Sequence, residues 1–329
     1  MASVLVAPDS FKGTFSAVEV AEAIGRGLRA AGLETDLCPV ADGGEGTMET
    51  LLASIGGEVV EVDDVLDPLR RPRRAPFGLI EGGRRAIVEM AAASGLGLVA
   101  EDERDAWAAT TYGTGQLIHA AARSGAGEIM VAVGGSATTD GGRGALEAIE
   151  ERGGIGDVRV VVLCDVTTPW ERCAEIYGPQ KGADPDMVRR LTARLDAYAA
   201  ELPRDPRGKP MTGAAGGLSG GLWAGLGAAL EPGAPYVLDA VRFDERLRGA
   251  AGVIVGEGRI DEQSVMGKIV GEIGERALAA GVPLFAIVGR NSVPPDAAER
   301  IALRSVREAT TLAEIETTAE RLGRELAAG

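Results

Sequence analysis

The sequence predicts an α/β protein with two α/β domains, one built from both chain ends and the other inserted between them. Three observations carry this prediction: strands and helices alternate near the N-terminus, they alternate again near the C-terminus, and the middle contains an antiparallel hairpin pattern. Alternation favours a doubly wound parallel sheet of the Rossmann or flavodoxin-like type, whereas a hairpin implies a mixed sheet. We predict residues 1–63 and 249–329 for the first domain and residues 64–248 for the inserted one.

The N-terminal segment has the pattern of a β-α-β-α unit. The run VLVAP is typical of a buried strand, and Ser16 with Glu19 forms a capping-box pattern for a helix that Gly32 ends. A second strand is predicted in ETDLCPV and a short helix over residues 47–55. Strands connected through helices in this way lie parallel in one sheet.

The C-terminal segment repeats this alternation. AGVIVGEG and VPLFAIVG are predicted strands on either side of a helix in SVMGKIVGEIGERALAAG, and LRSV is a candidate for a last strand. Thr311 and Glu314 form a capping-box pattern before a final helix with an apolar stripe. In the middle of the chain, RRAPFGLIEGGRRAIVEMA predicts two strands joined by a glycine turn.

The composition excludes several classes of protein. A net charge of −15 over 329 residues argues against a nucleic-acid partner, which needs a basic face. No apolar run reaches about 18 residues, so no membrane span is predicted, and the N-terminus lacks the basic flank of a secretory leader. The three cysteines have no CxxC spacing, so we expect neither a disulfide framework nor a zinc site, and a cytoplasmic location.

A glycine-rich stretch after a predicted strand is the first candidate ligand site. VAVGGSATTDGGRGA ends an apolar run on Gly134 and Gly135 and then presents Ser136, two threonines and an acid. Glycines let the backbone approach a ligand closely, and the amides of such a loop can cradle phosphate. We therefore predict that the amides of Gly134, Gly135 and Ser136 hold phosphate. The alternative is a sharp strand-to-helix turn with no ligand.

Acidic residues follow several predicted strands. Ligands of open parallel sheets bind at the carboxyl ends of the strands, so the acids after the terminal strands are expected at one sheet edge, and those of the inserted domain could face them. Asp42 is our candidate for the group that accepts or orients a substrate hydroxyl proton, and Asp165 is the candidate metal ligand. Asp9 or Asp261 could exchange roles with either, and Glu257 follows another of these strands.

Four of the 34 basic residues are lysines. Lys12, Lys181 and Lys268 each adjoin a glycine in a predicted loop, whereas Lys209 lies in a segment rich in proline and arginine. Because lysine supplies a compact point charge, the first three are candidates to neutralise a transferred phosphate or a substrate carboxylate. Lys209 is expected to be solvated. Chance placement of all four is the alternative.

Established phosphate-binding motifs do not match. VMGKI lacks the serine or threonine of a P-loop, and GEGRID lacks the last glycine of a dinucleotide fingerprint. His119, the single histidine, lies on a predicted helix, which argues against Ser-His-Asp hydrolysis. The remaining features are glycine-rich loops, lysines beside glycine, and carboxylates suited to Mg²⁺. They favour a small-molecule kinase or a binder of a phosphate ligand.

Seven segments, in this order along the chain, resemble the type I glycerate kinases. They are APDSFKGTFSA, PVADGGEGT, VGGSATTDGG, CDVT, YGPQKGA, GAAGGLSGG and VGEGRIDEQSVMGK, and the resemblance runs from residue 4 to at least residue 289. It implies two α/β domains, one of them built from both chain ends. It also implies phosphorylation of D-glycerate by ATP with Mg²⁺, generally giving 2-phosphoglycerate. The partner would be glycerate or a close 2-hydroxy acid.

Site residues are predicted within these matching motifs. We expect Asp42, Lys12 and Lys268 to act in catalysis and Asp165 to hold the metal. The expected substrate-binding residues are Asp9, Ser10, Gln180, Lys181, Arg259 and Asp261. The expected nucleotide-binding residues are Gly134, Gly135, Ser136, Thr138, Asp140, Gly141, Gly216 and Gly217.

The chain departs from the family pattern at three places. Thr139 stands where members usually carry asparagine, Thr168 and Trp170 differ from the Asn-Pro-Leu that typically follows CDVT, and the segment before that strand is shortened to RGGIGD. These departures flank a candidate ligand loop and bear on substrate identity. A non-catalytic sensor of an organic acid or nucleotide is the alternative function. The sequence leaves open which hydroxyl is phosphorylated, which domain takes ATP, and whether the chain forms a homodimer.

Overall fold

The computed structural model describes residues 3–265 and 268–328 and divides into two compact units. The terminal unit comprises Met1–Asp42, Glu49–Ile55 and Ala234–Gly329, and the inserted unit comprises Gly43–Met48 and Gly56–Gly233. The domain boundaries proposed from the sequence, at 63/64 and 248/249, stay predictions. No helix in the described part of the chain is both long and apolar enough to cross a membrane.

Within the described residues the fold contains eleven strands and fourteen α-helices. The strands are β1 (Val4–Pro8), β2 (Thr35–Leu37), β3 (Gly57–Leu66), β4 (Pro72–Ile80), β5 (Arg85–Glu89), β6 (Glu128–Ala132), β7 (Arg159–Cys164), β8 (Ala229–Pro232), β9 (Gly252–Glu257), β10 (Leu284–Val288) and β11 (Leu303–Glu308). The helices are α1 (Ala17–Ala30), α2 (Thr47–Ile55), α3 (Ala91–Ser94), α4 (Tyr112–Arg123), α5 (Arg143–Glu151), α6 (Cys173–Tyr177), α7 (Pro185–Glu201), α8 (Leu218–Leu226), α9 (Gly233–Ala240), α10 (Phe243–Leu247), α11 (Glu262–Val265), α12 (Ile269–Ala280), α13 (Pro295–Arg300) and α14 (Leu312–Ala328).

The terminal unit is built on a five-stranded parallel sheet with the order β11-β10-β9-β1-β2. Numbered within this sheet, the order is that of the flavodoxin-like doubly wound fold, 2-1-3-4-5. The strand order reverses between β1 and β9, which pair in register from Val4 opposite Gly252 to Pro8 opposite Gly256. Ligands of such sheets bind at this reversal, outside the carboxyl ends of the strands. The predicted fold class is confirmed for this half of the protein.

One face of this sheet is covered by α1 and α14. The capping box of α1 is present in full, since the Ser16 hydroxyl accepts from the Glu19 amide and the Glu19 carboxylate accepts from the Ser16 amide. Ile24 and Leu28 are fully buried in the core that this helix shares with Leu322 of α14. The two helices approach so closely that a Cβ on Gly27 would lie 2.1 Å from the Glu316 carbonyl oxygen.

The inserted unit has a six-stranded mixed sheet with the order β3-β4-β5-β6-β7-β8. The pairs β3/β4 and β4/β5 are antiparallel, which confirms the predicted hairpin, and the remaining pairs are parallel. Helices α4, α5 and α8 pack onto it through a core that includes Leu117, Ile149 and Leu222. The carboxyl ends of β6 and β7 therefore lie side by side and carry the loops of the candidate site.

Two local features differ from the sequence expectation. Strand β3 was not predicted, because nearly all of this edge strand is at least partly exposed and its sequence lacks a buried apolar run. At the second capping box the Thr311 hydroxyl accepts from the Glu314 amide at 3.2 Å, and the Glu314 carboxylate also accepts from the amide and hydroxyl of Thr310, which the capping-box pattern does not predict.

The close approach of α1 and α14 predicts a difference between two alanine substitutions in one helix. Gly27→Ala should destabilise the protein by about 1–3 kcal/mol, because its Cβ would meet backbone atoms that cannot move independently of α14. Gly25→Ala is the matched control: its Cβ would meet the side-chain ends of Leu37 and Arg29, which can rotate away. The gain in helix propensity, up to ~1 kcal/mol, should offset that contact. Equal melting temperatures for the two variants would contradict this packing argument.

Candidate active site

A cleft of about 480 Å³ opens at the carboxyl ends of β1 and β9 in the terminal unit. We call it the acid cleft, because four carboxylates line it, from Asp9, Asp42, Glu257 and Asp261. The basic residues that line it are Lys12, Arg259, Lys268 and Arg290. The structure thus brings together seven of the predicted site residues, namely Asp9, Ser10, Lys12, Asp42, Arg259, Asp261 and Lys268. Met266 and Gly267, which precede Lys268 in its motif, lie outside the described residues.

Asp9 sits at the point where the strand order reverses. It directly follows β1, and its amide donates to the Gly256 carbonyl of β9 at 2.8 Å. Its Oδ1 accepts from the Ser10 amide at 2.6 Å, and the residue is only 8% exposed. Burial, reinforced by the negative charge of Asp42, raises the pKa of Asp9 from 3.8 to about 7. A carboxyl group with this pKa can exchange a proton at neutral pH.

Asp42 and Lys12 form an ion pair across the cleft. The Lys12 Nζ lies 3.6 Å from Asp42 Oδ2, and the Lys12 side chain is 67% exposed whereas that of Asp42 is 8% exposed. Because the Lys12 ammonium remains in water, 3.6 Å from the carboxylate, the pair contributes little to stability. The exposed ammonium beside a buried carboxylate is instead suited to contact an anionic ligand that enters the cleft.

Glu257, the last residue of β9, belongs to a second acidic group in the same cleft. Its Oε2 accepts from the Ser264 hydroxyl at 3.0 Å, and Ser264 and Asp261 exchange two further hydrogen bonds of 3.2 Å. Burial, with a smaller contribution from the charge of Asp9, raises the pKa of Glu257 to about 7. Sequence reasoning placed Glu257 at this edge but gave it no role. Its position as the last strand residue was the available signal.

The predicted phosphate loop lies in the inserted unit. Residues 134–142, which we call the glycine loop, follow β6, and their first part lines a cleft of about 190 Å³ together with Asp165, Tyr177 and Gln180. Gly135 has a φ of +71°, which glycine adopts without strain. The carbonyl of Gly135 accepts from the Leu96 amide at 2.7 Å, and the Ala137 amide donates to Ser94. Within the described residues, the amides of Gly134, Gly135 and Ser136 have no hydrogen-bond acceptor.

Asp165 and Gln180 extend the glycine-loop cleft with side chains that can bind a ligand. Asp165 follows β7 and is exposed, and Gln180 is exposed after α6. No group of three or more His, Cys, Asp or Glu side chains in residues 3–265 and 268–328 is arranged to hold a metal ion. Mg²⁺ bound with a nucleotide needs only one or two protein carboxylates besides phosphate oxygens and water. A single carboxylate such as that of Asp165 would therefore fit Mg²⁺ that binds together with a phosphate ligand.

Several predicted nucleotide-binding residues have structural contacts instead. Asp140 accepts hydrogen bonds from the amides of Thr111, Gly142 and Gly144 and from the Thr111 hydroxyl, so its carboxylate is occupied by the protein. Thr138 is fully buried. Three predicted glycines are closely packed: a Cβ on Gly216 would lie 2.0 Å from the Thr138 carbonyl oxygen, and Cβ atoms on Gly141 or Gly217 would meet Trp170. None of these five residues lines the glycine-loop cleft.

Lys181 also differs from its predicted environment. Its side chain is buried, at 1% exposure for the residue, and its Nζ donates to the Thr138 carbonyl at 2.5 Å. Burial lowers the pKa of Lys181 to about 8. The ammonium is thus turned to the glycine loop and does not line either cleft, whereas we expected it to bind substrate. Its neighbour Gln180 lines the cleft.

Trp170, one of the departures from the family pattern, is part of a buried core. It is 1% exposed, its indole Nε1 donates to the Leu195 carbonyl at 3.1 Å, and its amide donates to Thr212. Thr168, the second departure, shares a 2.8 Å hydrogen bond with the Tyr177 hydroxyl, which lines the glycine-loop cleft. Thr168 is therefore hydrogen-bonded to a residue of a candidate ligand cleft.

The sequence model described as the Glycerate kinase family matches residues 4–153 and 149–328. The chain belongs to the glycerate kinase family. Its sequence is 40% identical over 326 residues to the glycerate kinase of Bacillus subtilis, covering 87% of this chain and 84% of the relative. It is 37% identical over 323 residues to the glycerate 2-kinase of Escherichia coli, with coverage of 87% and 84%.

A crystal structure shares the fold of this family member. A protein from Salmonella typhimurium LT2 assigned as glycerate kinase 2 superposes with a TM-score of 0.85 and 34% sequence identity, covering 99% of this chain and 98% of the other. The resemblance inferred from the seven motifs is therefore confirmed, as is the α/β architecture with one parallel and one mixed sheet. The roles of individual site residues stay predictions.

The raised pKa of Asp9 predicts a pH-dependent effect on stability. In the folded protein Asp9 keeps its proton up to about pH 7, whereas in the unfolded chain it loses it near the ordinary value of 3.8. The stability contributed by the neutral form is therefore present at low pH and is lost as the pH rises to 7. Asp9→Asn cannot ionise, so its melting temperature should exceed that of the wild type by several degrees at pH 8 but not at pH 4, since one pKa unit corresponds to ~1.4 kcal/mol.

The control for this measurement is Glu262→Gln, which neutralises an exposed carboxylate of the same unit. We expect its melting temperature to follow that of the wild type at every pH. Parallel pH profiles for wild type and Asp9→Asn would show that burial does not raise the pKa of Asp9.

Proposed function

We propose that the protein transfers the γ-phosphoryl group of ATP to D-glycerate and forms 2-phosphoglycerate. The observation that carries the proposal is the acid cleft, where buried carboxyl groups with raised pKa values adjoin basic side chains. A phosphoryl acceptor that is itself an acid needs both: cations for its carboxylate and a group that takes the proton of its hydroxyl. The names of the relatives, glycerate kinase and glycerate 2-kinase, support the same substrate.

The cations of the acid cleft are suited to the glycerate carboxylate and to the transferred phosphoryl group. Lys12, Arg259 and Lys268 line the cleft, and Lys12 is largely exposed. Arg259 is also largely exposed, and its guanidinium lies 3.9 Å from the Asp261 carboxylate. A planar guanidinium binds a carboxylate through two hydrogen bonds. The ammonium group of a lysine is a compact charge on a flexible side chain, which suits a phosphoryl group that changes position during transfer. We therefore assign the carboxylate to Arg259 and the phosphoryl group to Lys12 and Lys268.

We assign the hydroxyl proton to the pair of Asp42 and Asp9, with Asp42 as the member that contacts the hydroxyl. Asp42 is buried beside Lys12, the lysine assigned to the phosphoryl group. Its negative charge contributes to the raised pKa of Asp9, so Asp9 can carry a proton near neutral pH. Asp261 and Asp165 are the remaining candidates from the sequence.

The nucleotide is assigned to the glycine loop. The amides of Gly134, Gly135 and Ser136 lack protein acceptors within the described residues and line the glycine-loop cleft. Phosphate oxygens are suitable acceptors for such amides. Mg²⁺ neutralises phosphate charge in kinases, and Asp165 is the residue that would hold it, with Gln180 close to the same ligand.

The activity is tested by measuring ADP release with ATP and a panel of small hydroxy acids, and by identifying the product by ³¹P NMR. We expect D-glycerate to give the highest kcat/KM and the phosphate to be on the 2-hydroxyl. ATP binding without turnover of any acid in the panel would favour the non-catalytic sensor and would contradict the proposal.

Asp42→Asn is the matched catalytic test. Removing a general base typically lowers the rate by about 10²–10⁴-fold, while nucleotide binding in the other unit should persist. Lys209→Met is the control, because Lys209 lines neither cleft and its ammonium lies over the Trp223 ring at 5.3 Å. If Asp42→Asn keeps normal turnover and Asp9→Asn does not, Asp9 is the base instead.

Gly135→Val tests the phosphate loop. Its Cβ would lie 3.1 Å from the Glu45 carboxylate, and valine disfavours the φ of +71°, so the loop should shift and ATP affinity should fall at least about tenfold, or ~1.4 kcal/mol. Gly125→Val is the control, because Gly125 has a φ of +94° with open space around its Cβ and does not line the cleft. Equal ATP affinities of the two folded variants would indicate that the loop is only a turn.

A further inference from the structure

Two cations hold consecutive carbonyl groups of the glycine loop. Lys181 Nζ donates to the Thr138 carbonyl at 2.5 Å, and Arg194 Nη2 donates to the Thr139 carbonyl at 2.8 Å. We propose that Lys181 and Arg194 form a carbonyl clamp that fixes the glycine loop in its phosphate-binding conformation and adds positive charge to it. Both are positioning residues, and this inference rests on the proposed assignment of the nucleotide to that loop.

Lys181 is a cation that the fold buries for a specific contact. The residue is 1% exposed and adjoins a core that contains Trp170 and Cys173. Burying an ammonium group is unfavourable unless hydrogen bonds and charges compensate for the lost hydration. The Thr138 carbonyl supplies the hydrogen bond, and the Asp140 carboxylate attracts the ammonium. A methionine would fill the same space without the desolvation penalty, so packing alone does not explain a lysine here.

Arg194 reaches the loop from α7. Its Nη1 donates to the Trp107 carbonyl at 2.7 Å, and its guanidinium lies over the Trp107 ring at 4.3 Å. These contacts fix the plane of the guanidinium and direct Nη2 to Thr139. Arg190, one turn earlier on α7, stacks on the same ring at 4.6 Å but has no hydrogen bond to the loop. The two arginines therefore differ in the contact that the proposal concerns.

The hydrogen bonds along the glycine loop engage its carbonyl groups and leave the amides of its first residues available to a ligand. The carbonyls of Gly135, Thr138 and Thr139 each accept from a protein donor, whereas the amides of Gly134, Gly135 and Ser136 have no acceptor among the described residues. In a peptide group the amide belongs to the residue after the carbonyl, so the hydrogen bond from Leu96 to the Gly135 carbonyl fixes the Ser136 amide. The clamp fixes the peptide groups that follow Thr138 and Thr139, and so holds the later part of the same loop. Asp140 attracts both cations, and Asp105, Arg143 and the Glu45 carboxylate also lie near the loop or the clamp, so each change of a clamp residue to methionine removes one positive charge from a group of mixed charge.

A local positive charge matters in a chain whose net charge is −15. Charges more than about 8 Å apart are largely screened at physiological salt, so nearby groups dominate the attraction of a phosphate. The clamp should therefore contribute to the part of nucleotide affinity that depends on phosphate. It should contribute nothing to the affinity for the nucleoside.

The test compares ADP and adenosine binding by calorimetry for the wild type, Lys181→Met and Arg194→Met. We expect the Kd for ADP to rise about tenfold or more in each variant, while the Kd for adenosine stays within about twofold. Lys209→Met and Arg190→Met are the controls and should bind both ligands as the wild type does. Because Lys181 is buried, its variant is used only if its circular dichroism matches that of the wild type. If it does not match, Arg194→Met provides the test alone.

The outcomes separate this inference from the proposed function. If the folded clamp variants bind ADP as tightly as the wild type while Gly135→Val loses ADP affinity, the clamp is wrong and the nucleotide assignment holds. If Gly135→Val also binds ADP normally, the nucleotide assignment itself is wrong. Equal losses for ADP and adenosine in the clamp variants would indicate general loosening of the inserted unit and would overturn the proposal.

Discussion

The inserted unit depends on the close approach of two glycine-rich backbone segments, which leaves no room for side chains between them. Residues 138–142 and 213–221 cross so closely that Cβ atoms on Gly216 and Gly221 would lie 2.0 Å and 2.1 Å from backbone carbonyl oxygens, and the Gly141 amide donates to the Gly216 carbonyl. Only glycine permits this approach. It forms one wall of the space that Trp170 fills, and it fixes the backbone on which the carbonyl of Thr138 meets Lys181.

The terminal unit depends on a different constraint, the burial of carboxyl groups where the strand order reverses. In a parallel sheet the carboxyl ends of β1 and β9 lie at the same edge. Asp9, which follows β1, and Glu257, the last residue of β9, are therefore both buried there. Burial raises the pKa of each, and the charge of a neighbouring acid raises it further. The same topology that brings these two acids to one edge of the sheet thus also raises their pKa values to about 7.

Local patterns were predicted well from the sequence because they depend on neighbouring residues. The capping box of Ser16 and Glu19, the helix over Thr47–Ile55 and the hairpin of β4 and β5 are all present. The acid cleft followed from one topological rule, since acids after parallel strands share an edge. Contacts of distant residues could not be predicted: Lys181 adjoins a glycine like Lys12, yet one is buried against Thr138 and the other is exposed beside Asp42. Adjacent glycine indicates a turn, and the core around that turn decides where the ammonium points.

The residues of the motif VGGSATTDGG have different tasks, because Lys181, Asp140 and the packed glycines hold the later part of the motif in place. Its first four residues, Val133 to Ser136, line the glycine-loop cleft, and several of the later residues make hydrogen bonds or close packing contacts within the inserted unit. A loop that must present several amides to one phosphate loses conformational freedom on binding unless the protein has already fixed it. Hydrogen bonds from Lys181 and Arg194 and the close crossing at Gly216 hold this loop through residues that do not line the glycine-loop cleft. Under the proposed assignment of the nucleotide, residues of the motif that do not touch the nucleotide would therefore still be required to bind it.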